Sequence, residues 1–134
     1  MQKIEFPRAV IRAYTEGDCW FLAGKVRQHA GFPVMALYPL DATAFPDSFV
    51  HMGNRTPDGR ILDINGVHDE QDWISYWSDL LNAEPLDLVL MEDEIYYKAT
   101  DGLALRHSMV YAVETVIYNM FEQYLPHRMN YLKS

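Results

Sequence analysis

The sequence lacks several features that would assign it to a class of protein. One cysteine, Cys19, occurs in 134 residues, so an internal disulfide is excluded. Acidic residues outnumber basic ones by 19 to 11, which gives a formal net charge of −8 and disfavours nucleic acid or an anionic membrane as partner. No apolar run approaches the ~20 residues of a membrane span, and the N-terminal segment lacks the apolar stretch of a signal peptide. We therefore expect a cytoplasmic protein, with signal-independent secretion as an effector still open.

The composition is that of a folded domain. Hydrophobic residues make up 49% of the chain and aromatic residues 13%, which is enough for one buried core. Repeats, low-complexity tracts and linkers are absent, so residues 1–134 are interpreted as a single domain. The periodicity predicts an α+β protein with a small antiparallel sheet. The predicted helices are Glu5–Glu16, Cys19–Ala30, Asp69–Ala83 and His107–Tyr124; the predicted strands are Pro33–Tyr38, Ser48–Arg55, Arg60–Asn65, Leu86–Met91, Glu94–Lys98 and Leu103–Arg106.

The hairpin around Pro57-Asp58-Gly59 can be assigned a register. A three-residue loop with glycine in the left-handed region closes between Thr56 and Arg60, so the numbers of opposing residues add up to 116. This register puts His51 and Asp63 together on one face as diagonal neighbours. It also collects an apolar set on the other face, and a slip of one residue would disrupt both groupings. That apolar set is Val50, Met52, Leu62 and Ile64.

Cys19 occupies the predicted start of a helix, after the turn residue Gly17 and a capping Asp18. A free thiol has a pKa of about 8.5, and a helix N-terminus or a neighbouring imidazolium favours the reactive thiolate. We therefore interpret Cys19 as a candidate nucleophile, His51 as its base and acid, and Asp63 as the group that orients the imidazole. The backbone N–H groups of Cys19 and Trp20 are a candidate oxyanion hole. Other candidate site-lining residues are Tyr14, Thr15 and Asp18.

Two segments carry a resemblance to known families. Gly17-Asp18-Cys19-Trp20-Phe21-Leu22-Ala23 resembles the nucleophile segment of calpain-type, papain-like proteases. The later segment from His51 to Asp63 and Gly66 resembles that of transglutaminase-like domains and arylamine N-acetyltransferases. The resemblance covers about Gly17–Gly66 and implies a papain-like or transglutaminase-like fold, with the cysteine at a helix start packed on a small antiparallel sheet. Ala13 stands where papain has its oxyanion glutamine, and Asp63 where papain has asparagine, so a classical protease is not the expectation.

These observations predict thiol-dependent acyl transfer: amide or isopeptide hydrolysis, deamidation or transamidation, on a protein, peptide or other amide, with no cofactor and no metal. The alternative is a non-enzymatic acidic interaction protein, phage- or effector-derived, that keeps the fold and binds a protein partner. Three local alternatives also stay open. Cys19 could be an inert buried thiol on the apolar side of its helix, His68 could be the base, or His51, Asp63 and His68 could bind a metal.

Overall fold

The computed structural model describes residues 6–40, 45–81, 85–105 and 113–125. These residues form five helices and a five-stranded antiparallel sheet, so the protein belongs to the α+β class. The helices are α1 (Arg8–Thr15), α2 (Cys19–Ala30), α3 (Glu70–Leu80), α4 (Asp93–Thr100) and α5 (Val113–Tyr124). The strands are β1 (Val34–Tyr38), β2 (His51–Arg55), β3 (Ile61–Asp63), β4 (Gly66–His68) and β5 (Asp87–Met91), in the spatial order β4-β3-β2-β1-β5.

The sheet buries apolar side chains on both faces. All five residues of β1 are buried, and alternate residues of this strand belong to different clusters. Val34 and Ala36 pack with Cys19 and Ala23 of α2. Met35 and Leu37 pack with the tryptophans of α3. A third cluster joins α1, α2 and α5 to β3. Helices thus cover both sides of the central strands, and polar side chains on these strands must find partners inside the protein.

Helix α2 has the bounds that the sequence predicts, Cys19–Ala30. Gly31 ends the helix in the left-handed region, with φ of 78°, and its amide donates to the Arg27 carbonyl, as expected for a C-terminal glycine. The predicted side-chain cap is wrong. The described residues contain no capping hydrogen bond from Asp18, whose φ of −108° and ψ of 13° differ from the extended backbone that a capping residue usually has.

The predicted hairpin register is confirmed. Gly59 has a φ of 85°, and the Thr56 amide donates to the Arg60 carbonyl at 2.8 Å. Asn54 lies opposite Leu62, and Arg55 lies opposite Ile61, so each pair adds up to 116. One member of the predicted apolar set differs: Val50 precedes β2 and packs beside the cluster that contains the α3 tryptophans.

The predicted second hairpin is wrong. The segment interpreted as the strand Glu94–Lys98 belongs to helix α4, whose first turn carries Asp93 and Glu94, a placement that the helix dipole favours. Residues 103–105 have no strand structure, and residues 106–112 lie outside the described ranges. Strand β4 was not predicted, because three residues are too few to show periodicity.

Among the described residues, none of the helices combines the length and the apolar composition that crossing a bilayer requires.

Candidate active site

Cys19 is the first residue of α2 and borders a surface pocket. Its side chain is buried, yet it forms part of the wall of a pocket of about 450 Å³. The amides of Phe21 and Leu22 donate to the Asp18 carbonyl. The amides of Cys19 and Trp20 belong to the first turn, where N–H groups have no intrahelical acceptor. The thiol and two candidate oxyanion donors therefore lie together at the positive end of a helix.

His51 is the first residue of β2 and has 0% of its surface exposed. Its ring stacks on the Trp77 ring, with centroids 4.1 Å apart and planes inclined by 27°. The Trp73 ring contacts it at a tilt, 5.6 Å away. Its Nε2 lies 3.3 Å from Oδ2 of Asp63. The two tryptophans of α3 and the carboxylate thus hold the imidazole in a defined orientation.

The second ring nitrogen of His51, Nδ1, does not bond to Asp63. Nδ1 is buried and has no hydrogen-bond partner among the described residues. Burial acts to lower the pKa of His51, but the hydrogen bond to Asp63, together with the nearby Asp63 and Cys19 groups, outweighs it and raises this pKa to about 9. Since Nε2 faces Asp63, Nδ1 is the nitrogen available to the Cys19 thiol. The imidazole therefore pairs with the carboxylate, and Asp63 and the nearby Cys19 both favour its protonated form.

Asp63 is the last residue of β3 and accepts hydrogen bonds on both carboxylate oxygens. Burial acts to raise the pKa of Asp63, but hydrogen bonds and charge from His51 and His68 outweigh it and hold this pKa well below its usual range. The carboxylate therefore stays ionised in the interior. Its partners among the described residues are His51 Nε2 at 3.3 Å, His68 Nε2 at 2.9 Å, the Trp73 indole N–H at 2.9 Å and the Asn65 amide at 2.9 Å.

Sequence reasoning missed part of this network. The sequence pattern places His68, the rival base, in a loop, but His68 ends β4 opposite Ile61 and bonds to the same carboxylate as His51. The spacing of Trp73 and Trp77 indicates a buried helix face, which is correct. It carries no signal that these rings contact a histidine and a carboxylate, since those contacts join distant parts of the chain.

The predicted lining residues separate into two groups. Thr15 lies in the pocket wall. Tyr14 and Asp18 do not line this pocket, and both are buried, with 1% and 0% of their surfaces exposed. Tyr14 lies away from the pocket because it is on the buried face of α1, where its ring packs into the core cluster shared with α2 and α5.

Within the described ranges, no group of three histidine, cysteine or acidic residues has an arrangement that could hold a metal ion. The candidate ligands His51 and His68 instead approach Asp63 directly, at hydrogen-bonding distance.

In comparisons with protein-family models, curated proteins and solved structures, none matches this chain.

Proposed function

We propose that this protein is a thiol-dependent acyl-transfer enzyme that acts on amides or related carbonyl compounds. The observation that carries the proposal is the fully buried His51 ring, whose Nε2 lies 3.3 Å from Asp63. Its Nδ1 has no hydrogen-bond partner among the described residues, and the chain's only thiol is near enough to raise its pKa. Burying a histidine and an aspartate costs free energy. A cysteine within reach of the pair, at a pocket wall, is the arrangement of an activated nucleophile.

The first step forms a thioester. The Cys19 thiolate attacks the carbonyl carbon of the substrate, and the carbonyl oxygen becomes an oxyanion that the amides of Cys19 and Trp20 can stabilise. The His51 imidazolium then gives its Nδ1 proton to the leaving amine as the carbon–nitrogen bond breaks. Asp63 keeps the ring oriented and favours its charged form throughout.

The second step releases the acyl group. His51, now neutral, takes a proton from water or from an amine, which attacks the thioester carbonyl. The carbon–sulfur bond breaks and Cys19 leaves as thiolate beside the reprotonated imidazole. Water gives hydrolysis or deamidation, and an amine gives transamidation, so one set of residues supports each of these reactions.

A papain-like or transglutaminase-like relationship is part of this proposal. It is supported by the order cysteine, histidine, aspartate along the chain. It is also supported by their positions, with the cysteine at a helix N-terminus and the other two on neighbouring antiparallel strands. The physical argument for catalysis depends on the contacts of Cys19, His51 and Asp63 and does not require the relationship.

Acyl-enzyme formation tests the proposed function. The protein is mixed with p-nitrophenyl acetate, nitrophenol release is followed, and the acetylated residue is identified by intact-mass and peptide mass spectrometry. We expect a burst of nitrophenol with a hydroxylamine-sensitive acetyl group on Cys19. Cys19→Ser should remove this thioester, and His51→Ala should slow its formation by about 10²–10⁴-fold.

His29→Ala is the matched control, because His29 lies in the last turn of α2, away from the pocket wall, and should leave the burst unchanged. Circular dichroism verifies that each variant is folded. A folded wild-type protein without a burst, or acetylation that His51→Ala leaves unaffected, contradicts the enzyme proposal and favours the interaction-protein alternative.

A further inference from the structure

The wall of the pocket beside Cys19 combines apolar residues with acidic ones. Its charged members among the described residues are Glu16 and Asp47, and no lysine, arginine or histidine of these residues lines it. The chain as a whole carries a formal charge of −8. A concave site lined by charges of one sign raises the local concentration of ligands of the opposite sign. The other wall residues are Thr15, Gly17, Cys19, Trp20, Phe49, Val50, Leu103 and Ala104.

The two carboxylates have different surroundings. Asp47 is exposed and lies in the turn before β2. Glu16 follows α1 and bonds to Arg12 at 2.8 Å, with 57% of its side chain exposed. Arg12 lines a neighbouring pocket, which shares the Thr15–Glu16 edge, and does not line the pocket of Cys19. An exposed ion pair of this kind is weak, so Glu16 still contributes negative charge at the edge of the Cys19 pocket.

The combination of apolar wall residues and carboxylates suits a lysine or arginine side chain. Lysine and arginine place an aliphatic stem on apolar surface and keep the charged end at polar groups. Trp20, Phe49 and Val50 offer the apolar surface, and the two carboxylates offer the partner for the charge. An acidic side chain would meet like charge in the same place, which is unfavourable.

We infer that the Cys19 pocket selects acyl donors with a positively charged side chain beside the reactive carbonyl, such as a peptide amide that follows lysine or arginine. This inference rests on the proposed function, since it takes Cys19 as the nucleophile. It adds the substrate class, which the contacts of Cys19, His51 and Asp63 leave undefined.

The test uses three short peptidyl acyloxymethyl ketones that differ only in the residue next to the ketone: lysine, glutamine or glutamate. The thiolate forms a carbon–sulfur bond at the methylene carbon, and the acyloxy group leaves as a carboxylate, so labelling of Cys19 is read by mass spectrometry. We expect second-order rates in the order lysine, glutamine, glutamate, with lysine faster than glutamate by at least about tenfold. Raising the salt concentration should reduce this ratio.

Asp47→Asn and Glu16→Gln should each lower the lysine-to-glutamate ratio, and the double variant should bring it close to that of a simple thiol. Asp79→Asn is the matched control. It removes the same charge from an exposed position on α3 outside the pocket wall and should leave the ratio unchanged.

The possible failures are distinguishable. If the rate of Cys19 labelling depends on His51 but is the same for all three probes, the inference about substrate charge is wrong and the acyl-transfer proposal stands. The same holds if Asp79→Asn lowers the ratio as much as Asp47→Asn does. Failure of all three probes to label Cys19 overturns both.

Discussion

Strand β2 carries two buried polar side chains, and they have different kinds of partner. Asn54, 2% exposed, donates from Nδ2 to the backbone carbonyls of Ala23 at 2.9 Å and Phe32 at 3.2 Å. His51 lies 3.3 Å from the Asp63 carboxylate, and the Cys19 thiol is near enough to affect its pKa. Backbone carbonyls do not titrate, so the Asn54 contacts can only join β2 to α2 and the segment after it. The partners of His51 can exchange protons, which makes chemistry possible at one end of a strand that is otherwise structural.

The largest effect on stability should come from the charge of His51. Its pKa is raised to about 9 in the folded protein, against about 6.5 unfolded. The resulting stabilisation is complete below pH 6.5 and is lost as pH rises through about 9, on the order of 3 kcal/mol in total. The pKa of Asp63 is lowered instead, so its contribution is present above its unfolded pKa and is lost as pH falls.

Urea unfolding at pH 6, 8 and 10 measures this contribution. The difference in unfolding free energy between the wild type and His51→Gln should be largest at pH 6 and smallest at pH 10. The matched control is His29→Gln, which leaves the His51–Asp63 pair intact. A difference that does not change over this range would mean that the imidazole is not held in its charged form.

Asn54→Ala should destabilise the fold without changing the chemistry. It leaves the carbonyls of Ala23 and Phe32 without this donor in the interior, which costs about 1–3 kcal/mol. Alkylation of Cys19 under native conditions should keep the wild-type rate and its dependence on pH. Urea unfolding and iodoacetamide labelling measure the two effects. A loss of alkylation as large as that of His51→Ala would show that the two sites on β2 are not separate.

His68→Ala should have the smallest effect. His68 is one of several donors to Asp63, and its side chain is 29% exposed, so its loss should cost about 0.5–1.5 kcal/mol. Acetylation of Cys19 should fall by less than about tenfold, against 10²–10⁴-fold for removal of a general acid–base. Nitrophenol burst rates of both histidine variants measure this ranking. If His68→Ala falls as far as His51→Ala, the base has been assigned to the wrong histidine.

Sequence patterns predict an element correctly where two independent local signals favour the same structure. Turn chemistry at Gly59 and the alternation along β2 and β3 both favour one register, and this register puts His51 and Asp63 on the same face. Helix α2 is likewise bounded by local signals, the turn before Cys19 and Gly31 at its end. The β2–β3 hairpin and α2 hold the three candidate catalytic residues, so local patterns are enough to place these residues in the fold.

Sequence patterns fail to predict an element whose conformation depends on packing against distant parts of the chain. Ile95, Tyr96 and Tyr97 have the high strand propensity of branched and aromatic residues, yet they lie in α4. There the Tyr96 hydroxyl donates to the Trp20 carbonyl at 2.7 Å. A Cβ on Gly24 would clash with this ring, so the contact depends on a glycine in a helix far earlier in the chain. No periodicity contains that information, and the same holds for the tryptophans against His51.

Whether His51 activates Cys19 is tested by the pH dependence of Cys19 alkylation by iodoacetamide in the wild type and in His51→Ala. If Cys19 and His51 form an ion pair, the wild type should be alkylated rapidly at pH 6, where a simple thiol reacts slowly. His51→Ala should then lose this low-pH reactivity and react only as the solution becomes alkaline. Identical profiles in the two proteins, both rising near pH 8.5 as for a free thiol, would contradict the central claim that His51 activates Cys19.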